Sequence, residues 1–223
     1  MKKIDIYLQL KIIILVSGKL QSGKNTFADL LKEEIESRYN VMVVTDYFAK
    51  LLKEMCRDSF KPLTDFLNDI FRICEEDCQD EMLRDEVKKL ITKDNNWFEN
   101  KNDITRHILQ IVGTDIVRTV NQNFWSESFI KRVKERKEAV TINSDCRFRS
   151  EISQVESNFS NTFTIRIERD MDRNNSVNEH ISEKELDDYD SWDYKVWNNG
   201  TLEELKEQAK IVATDIFKNF EIK

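Results

Sequence analysis

Seven residues, Gly18-Lys19-Leu20-Gln21-Ser22-Gly23-Lys24, follow the spacing G-x-x-x-x-G-K. Glycines at those two places let backbone N–H groups curl around phosphate oxygens, and a helix beginning just beyond adds positive potential. Lys24 then reaches the β- and γ-phosphates of a bound nucleotide. A magnesium-binding Ser or Thr usually follows the lysine, but here Asn25 follows it and Thr26 comes next. An Asn carbonyl is a weaker magnesium ligand than a hydroxyl with the right placement, so the loop's own share in a metal site falls to Thr26.

A second group is Asn143-Ser144-Asp145-Cys146-Arg147. It follows an apolar strand, and ligands of open parallel sheets gather at the carboxyl ends of strands. Asp145 is a candidate magnesium ligand, directly or through water, and Arg147 can grip a phosphate with two parallel N–H bonds. The bland alternative is a turn that caps a helix starting near Ser150. A third group lies in the helical stretch Asp103–Asn121. At α-helical spacing Arg106, Gln110, Gly113, Thr114 and Val117 share one stripe, while Ile104, Ile108, Ile111 and Val112 share another. A glycine inside a helix costs ~1 kcal/mol against alanine, which points to a close approach at Gly113. Asp115 falls on the apolar side of this pattern.

Other features carry less. Cys74 and Cys78 at i, i+4 lack a histidine neighbour for zinc. His107 and His180 have no triad-like surroundings. Arg166, Arg169 and Arg173 cluster after a strand and either close over phosphates or form a solvated arm. Trp125 beside Phe124 could stack on a base, although core packing is the default for aromatics.

These groups need elements to position them. Lys11–Val16 is a short, β-branched run suited to a strand buried on both faces, and Phe27–Ser37 repeats apolar residues at helical spacing. Val41–Thr45, Ala139–Asn143, Thr162–Ile167 and Tyr194–Trp197 read as further strands. Phe48–Met55, Phe60–Ile73, Asp80–Thr92 and Trp125–Lys137 read as helices. Thr201 opens a last helix with Glu204 in capping-box position. The expected fold is α/β: a parallel sheet of the P-loop type flanked by helices. It forms a single domain over 1–223, with 11–55 and 138–223 as its core and 56–137 as a helical insertion.

Composition agrees. The chain has 223 residues, 4 Gly and 1 Pro, too few turn formers for a small all-β fold. Its 35 basic and 42 acidic residues give a formal charge of −7, which disfavours general polynucleotide binding. No run approaches the ~20 apolar residues a membrane span requires. Asp5 and Lys11 interrupt the signal-like start, so the chain reads as cytoplasmic with reduced thiols, in the host cytoplasm if viral. The oligomeric state is open, with a homodimer among the options.

Taken in order, SGKLQSGKNT, TRHILQIVGTDIVR with NFW, SDCRFRSEI, EHISE and WNNGTLEEL resemble the bacteriophage-type deoxynucleoside monophosphate kinases. The likeness runs from about Lys11 onward and is weakest over Cys56–Asn102. It implies transfer of the γ-phosphoryl group of ATP, with Mg²⁺, to a deoxynucleoside monophosphate. By that resemblance Gly18, Lys19, Ser22, Gly23, Lys24, Asn25 and Thr26 hold ATP. Arg106, Gln110 and Trp125 lie at the acceptor, where the helical insertion would close over the site. Asp145 and Arg147 serve metal and phosphates, Lys24 joins them in catalysis, and Arg169 sits on the lid side. The family commonly has an acid where this chain has Asn25.

Two other readings compete. A phosphomevalonate kinase-like enzyme shares the loop and the D-x-R, but its acceptor has no base to stack. A nucleotide-binding protein without turnover is the second, motivated by Asn25. A switch GTPase is excluded, because no D-x-x-G accompanies the loop: Gly113, the one glycine between the loop and the C-terminal turn, has Gln110 three residues before it.

Overall fold

The computed structural model describes residues 11–52, 109–170, 180–218 and 220. It divides into two compact units, 1–48 with 122–223, and 49–121.

In the first unit five strands form one parallel sheet in the order β2-β3-β1-β4-β5. They are β1 Ile12–Gly18, β2 Val43–Asp46, β3 Val140–Asn143, β4 Asn161–Glu168 and β5 Tyr194–Trp197. The expected β-α-β opening and all five strands are present, each within two residues of the ends read from the sequence. β1 is central because it is apolar on both faces: Ile12 through Val16 are wholly buried. It pairs with β3 on one side and β4 on the other, with Ile14 beside both Ile142 and Phe163. The chain turns from one side of β1 to the other at this point. The crevice beyond the end of β1 is therefore the topological switch where such sheets bind ligands.

Helices α1 (Lys24–Tyr39) and α5 (Leu202–Lys218) cover one face, joining Ile12, Ile14 and Val16 in a core with Phe27, Leu31, Ile35, Ala213 and Phe217. Helices α2 (Phe124–Glu135) and α3 (Arg149–Asn158) bury Phe129, Val133, Ile152 and Val155. Strand alternation turns Ile13 and Leu15 away from the first core. A short helix α4 (Ile181–Lys184) follows β4. The capping box of α5 forms as expected: Thr201 N–H donates to Glu204 at 2.8 Å, and Glu204 N–H returns to Thr201 Oγ1 at 3.2 Å. By compactness α2 falls within the sheet unit.

In the second unit the expected α-helix Asp103–Asn121 is described from residue 109 on, and there it is corrected in part: Leu109 and Gln110 are α-helical, Ile111–Ile116 is π-helical and Val117–Val120 is α-helical again. A π-turn takes one more residue, so the i, i+4, i+7 stripe breaks there. Asp115 is exposed rather than on an apolar face. The close approach at Gly113 is made by a side chain, since a Cβ there would lie 3.0 Å from Leu52 Cδ2. Of the expected helix Phe48–Met55, residues 50–52 are helical and 53–55 lie outside the described residues, as do helices Phe60–Ile73 and Asp80–Thr92 and Cys74, Cys78, Arg106, His107 and Arg173.

Candidate active site at the end of the central strand

The loop between β1 and α1 makes a concave nest of backbone N–H groups. Three of its carbonyls are taken by donors. Lys19 O accepts from Ser22 N at 3.2 Å and Lys24 Nζ at 3.0 Å, Gln21 O from Arg169 at 3.4 Å, and Ser22 O from Asn198 at 2.8 Å. The first N–H of α1 to find a partner is that of Phe27, on Gly23 O at 2.9 Å. Among the described residues, the N–H groups of Gly23 through Thr26 meet no protein acceptor. Ser22 Oγ is buried without a partner. Unsatisfied donors at the start of a 16-residue helix are what a phosphate requires.

The two motif glycines are sterically necessary. A Cβ on Gly18 would lie 2.5 Å from Ser22 Oγ and 2.6 Å from Ile167 O. Gly23 has φ 93, and Gln21 between them is also left-handed at φ 61.

Cations converge on this loop. Burial lowers the Lys24 pKa to about 8, helped by Arg147 and Arg166 and opposed by Glu183 and Asp145. Arg147 is delivered by the β3–α3 connection. Its backbone N–H and that of Phe148 both donate to the buried Glu151 carboxylate, at 2.8 and 3.1 Å. Its guanidinium pairs with Glu183. Lys19 pairs with Asp187 and donates to Glu183 O at 2.6 Å. Arg166, 6% exposed, donates to Ser17 Oγ at 3.3 Å and pairs with Glu168 at 3.1 Å and Asp187 at 3.5 Å. It is therefore part of the floor of the site, while Arg169 is exposed and touches the loop from outside.

Asp145 Oδ1 accepts the Phe48 N–H at 2.7 Å, and its own N–H donates to Asn143 Oδ1 at 3.0 Å. Among the described residues no cluster of three His, Cys, Asp or Glu could cage a metal. The donor set, Asp145 with the Thr26 hydroxyl in the first turn of α1, fits a magnesium ion that keeps waters and phosphate oxygens as its other ligands. Asn25, like Thr26, is exposed. Trp125 is 3% exposed and packs edge-to-face on Phe124, with centroids 4.9 Å apart. Gln110 is buried in the other unit. His180 caps α4 by accepting the Ser182 N–H at 3.2 Å.

Spacing in the sequence did not single out Glu183, Asp187 or Asn198. Glu183 and Asn198 stood inside the motifs EHISE and WNNGTLEEL, but their partners are more than 35 residues away in the chain.

Among the described residues no helix is long and apolar enough to cross a membrane. No curated protein matches the chain. A solved structure of a sugar kinase from Janibacter sp. HTCC2649, without ligand, is similar over 96% of this chain and 99% of that one. The identity is 10% and the TM-score 0.40, too slight a likeness to bear on function. The model of the family "Deoxynucleotide monophosphate kinase" matches residues 49–209. That segment begins after the phosphate loop, so loop geometry and family match are separate observations. It takes in more than half of the 223 residues, and the chain belongs to the deoxynucleotide monophosphate kinase family, a phosphotransferase acting on deoxynucleoside monophosphates.

Proposed function

We propose that the nest at Gly18–Thr26 holds the phosphates of ATP and that the γ-phosphoryl group passes from there to the phosphate of a deoxynucleoside monophosphate. The observation that carries this reading is the set of N–H groups at the start of α1, which among the described residues face no protein acceptor, while the carbonyls of Lys19, Gln21, Ser22 and Gly23 are engaged.

Phosphoryl transfer requires mainly positioning and neutralisation of charge. Lys24 and Lys19 would bind the donor phosphates, and Arg147 would bridge donor and acceptor through its planar fork. The acceptor phosphate is ionised at neutral pH, so no side chain need remove a proton. Magnesium, when bound, would add further neutralisation of the β- and γ-oxygens, with Asp145 and Thr26 as the protein's ligands to it. Lys19, Arg147 and Arg166 are paired with Glu183 and Asp187. An arriving polyanion must displace or share those pairs.

By family resemblance Arg106, Gln110 and Trp125 serve the acceptor, and the unit 49–121 carries the first two. Free nucleotides fit the net charge of −7 better than a polynucleotide does. They also suit an enzyme of the cytoplasm. The test is a panel of nucleoside and deoxynucleoside monophosphates offered with ATP across a magnesium titration. Diphosphate and ADP should appear in equal amounts with at least one deoxynucleotide. ADP formed equally with phosphomevalonate, or ADP formed without any phosphorylated acceptor, would count against the reading.

A further inference from the structure

The turn between β5 and α5 carries a side chain that the phosphate site has not yet absorbed. Asn198 donates its Nδ2–H to the Ser22 carbonyl at 2.8 Å. The turn itself is held by other bonds. Asn198 N–H donates to Glu168 O at 2.8 Å, Gln208 brackets Trp197 at 3.3 and 2.9 Å, and Thr201 with Glu204 caps the helix beyond. A fixed backbone therefore presents the amide to the loop.

That bond decides which way a peptide faces. Across a trans peptide the C=O and the next N–H point in opposite directions. With Ser22 C=O turned to Asn198, the Gly23 N–H is turned the other way, where among the described residues no protein acceptor meets it. Gly23 has φ 93, and glycine makes rotation of this peptide cheap. A flip would put a carbonyl oxygen where the donor now points and would repel a phosphate. The fit is mutual, since a Cβ on Gly23 would lie 2.2 Å from Asn198 Nδ2.

We propose that Asn198 is a positioning residue that locks the Ser22–Gly23 peptide with its N–H toward the donor phosphates. It acts through the loop backbone. The proposal rests on Gly18–Thr26 being the donor-phosphate site, and the test separates the two.

The full chain is compared with Asn198→Asp and Asn198→Ala. Aspartate keeps the shape but cannot donate, and alanine removes the donor without adding charge. Loss of one such hydrogen bond should raise the ATP KM about tenfold in both variants, leaving the acceptor KM unchanged. With only four glycines in the chain, ¹⁵N-glycine labelling isolates the Gly23 amide. Its resonance should move when ATP is added to the wild type and move far less in Asn198→Asp. A wild-type ATP KM in Asn198→Asp would overturn the proposal. So would ATP and acceptor KM rising together with a lower thermal midpoint, which marks a structural role alone. Lys24→Ala is measured in parallel. If it binds ATP normally, the donor-site reading fails and the proposal with it. If it loses ATP while both Asn198 variants keep it, only the role of Asn198 fails.

Discussion

Two charged clusters lie at carboxyl ends of strands in the same sheet, with β3 between them, and they differ in how their charges are satisfied. At the end of β2, Asp46 is fully buried between Arg132, at 3.1 Å, and Arg136, and it also accepts the Tyr47 N–H at 2.7 Å. Burial alone would raise its pKa. The bonds from Arg132 and Tyr47 and the charges of Arg132 and Arg136 outweigh burial and hold the carboxyl below its usual range. At the end of β1, Lys19, Lys24, Arg147 and Arg166 face carboxylates supplied by α4 and the turn after it. Asp187 there has a side chain 43% exposed. The first cluster fastens α2 to the sheet and holds its carboxylate wholly within protein partners, although Arg136 Nη1 is buried without one. The second leaves backbone donors unmet and a lysine whose proton is loosely held. A cluster whose charges are met by buried partners holds the fold together, whereas one with donors to spare is built for an anion that comes and goes.

The contrast breaks most sharply at Asp46. Asp46→Ala strands two partly buried arginines and should cost about 3–5 kcal/mol of stability, read by urea unfolding, with little change in the ATP KM of the folded fraction. Because the folded pKa of Asp46 is depressed, its contribution is present above the ordinary carboxylate range and is lost as pH falls through the folded value. Acid unfolding below about pH 4 should therefore be shifted upward in the variant.

Arg147→Lys should do the reverse, leaving stability nearly intact while lowering kcat. A lost donor that acts in the transition state commonly costs about 10²–10³ in rate. Steady-state kinetics with ATP and the best monophosphate separate kcat from KM. An unchanged kcat would make Arg147 only the partner of Glu183.

The loosely held proton of Lys24 gives a smaller, graded effect. Its pKa is lowered from 10.5 to about 8 by burial and by Arg147 and Arg166. Below pH 8 the lysine is charged and ATP affinity should be flat. Above it the free enzyme loses the proton that the polyanion needs, so affinity should fall by up to about tenfold per pH unit. Stability of the free enzyme should run the other way. Between 8 and 10.5 the unfolded chain binds more protons, so stability rises with pH across that window. Calorimetric titrations at several pH values check both signs, and Asp46→Ala should leave the affinity curve where it is.

Asn25→Asp should change least. Asn25 is exposed in the first turn of α1, where an acid suits the helix dipole by roughly 0.3–1 kcal/mol. Activity should be kept or modestly improved, measured as kcat across a magnesium titration.

The features legible in the sequence were local ones. β1 could be read because its whole run is apolar, and the phosphate loop because two of only four glycines stand at the motif's spacing. Glu204 announced the α5 cap three residues after Thr201. What escaped reading depends on residues far apart in the chain. Nothing near Asp46 signals that Arg132 and Arg136 will bury it, since their separation is set by the β2–β3 pairing. The π-turn at Ile111–Ile116 defeated an α-helical stripe because one inserted residue rotates every later side chain. Glu183 and Asn198 sat in recognised motifs, but their chemistry became readable only with Arg147 and Ser22 beside them.

The most direct measurement follows γ-labelled phosphate from ATP to a deoxynucleoside monophosphate in the wild type and in Lys24→Ala, with folding of both verified by circular dichroism. Wild type should place the label on the deoxynucleoside diphosphate. The variant should fold, gain some stability at pH 7 from the loss of a buried cation, and transfer label at least about 10³-fold more slowly. Near wild-type transfer by a folded Lys24→Ala protein would contradict the claim that the end of β1 is where the phosphoryl group moves.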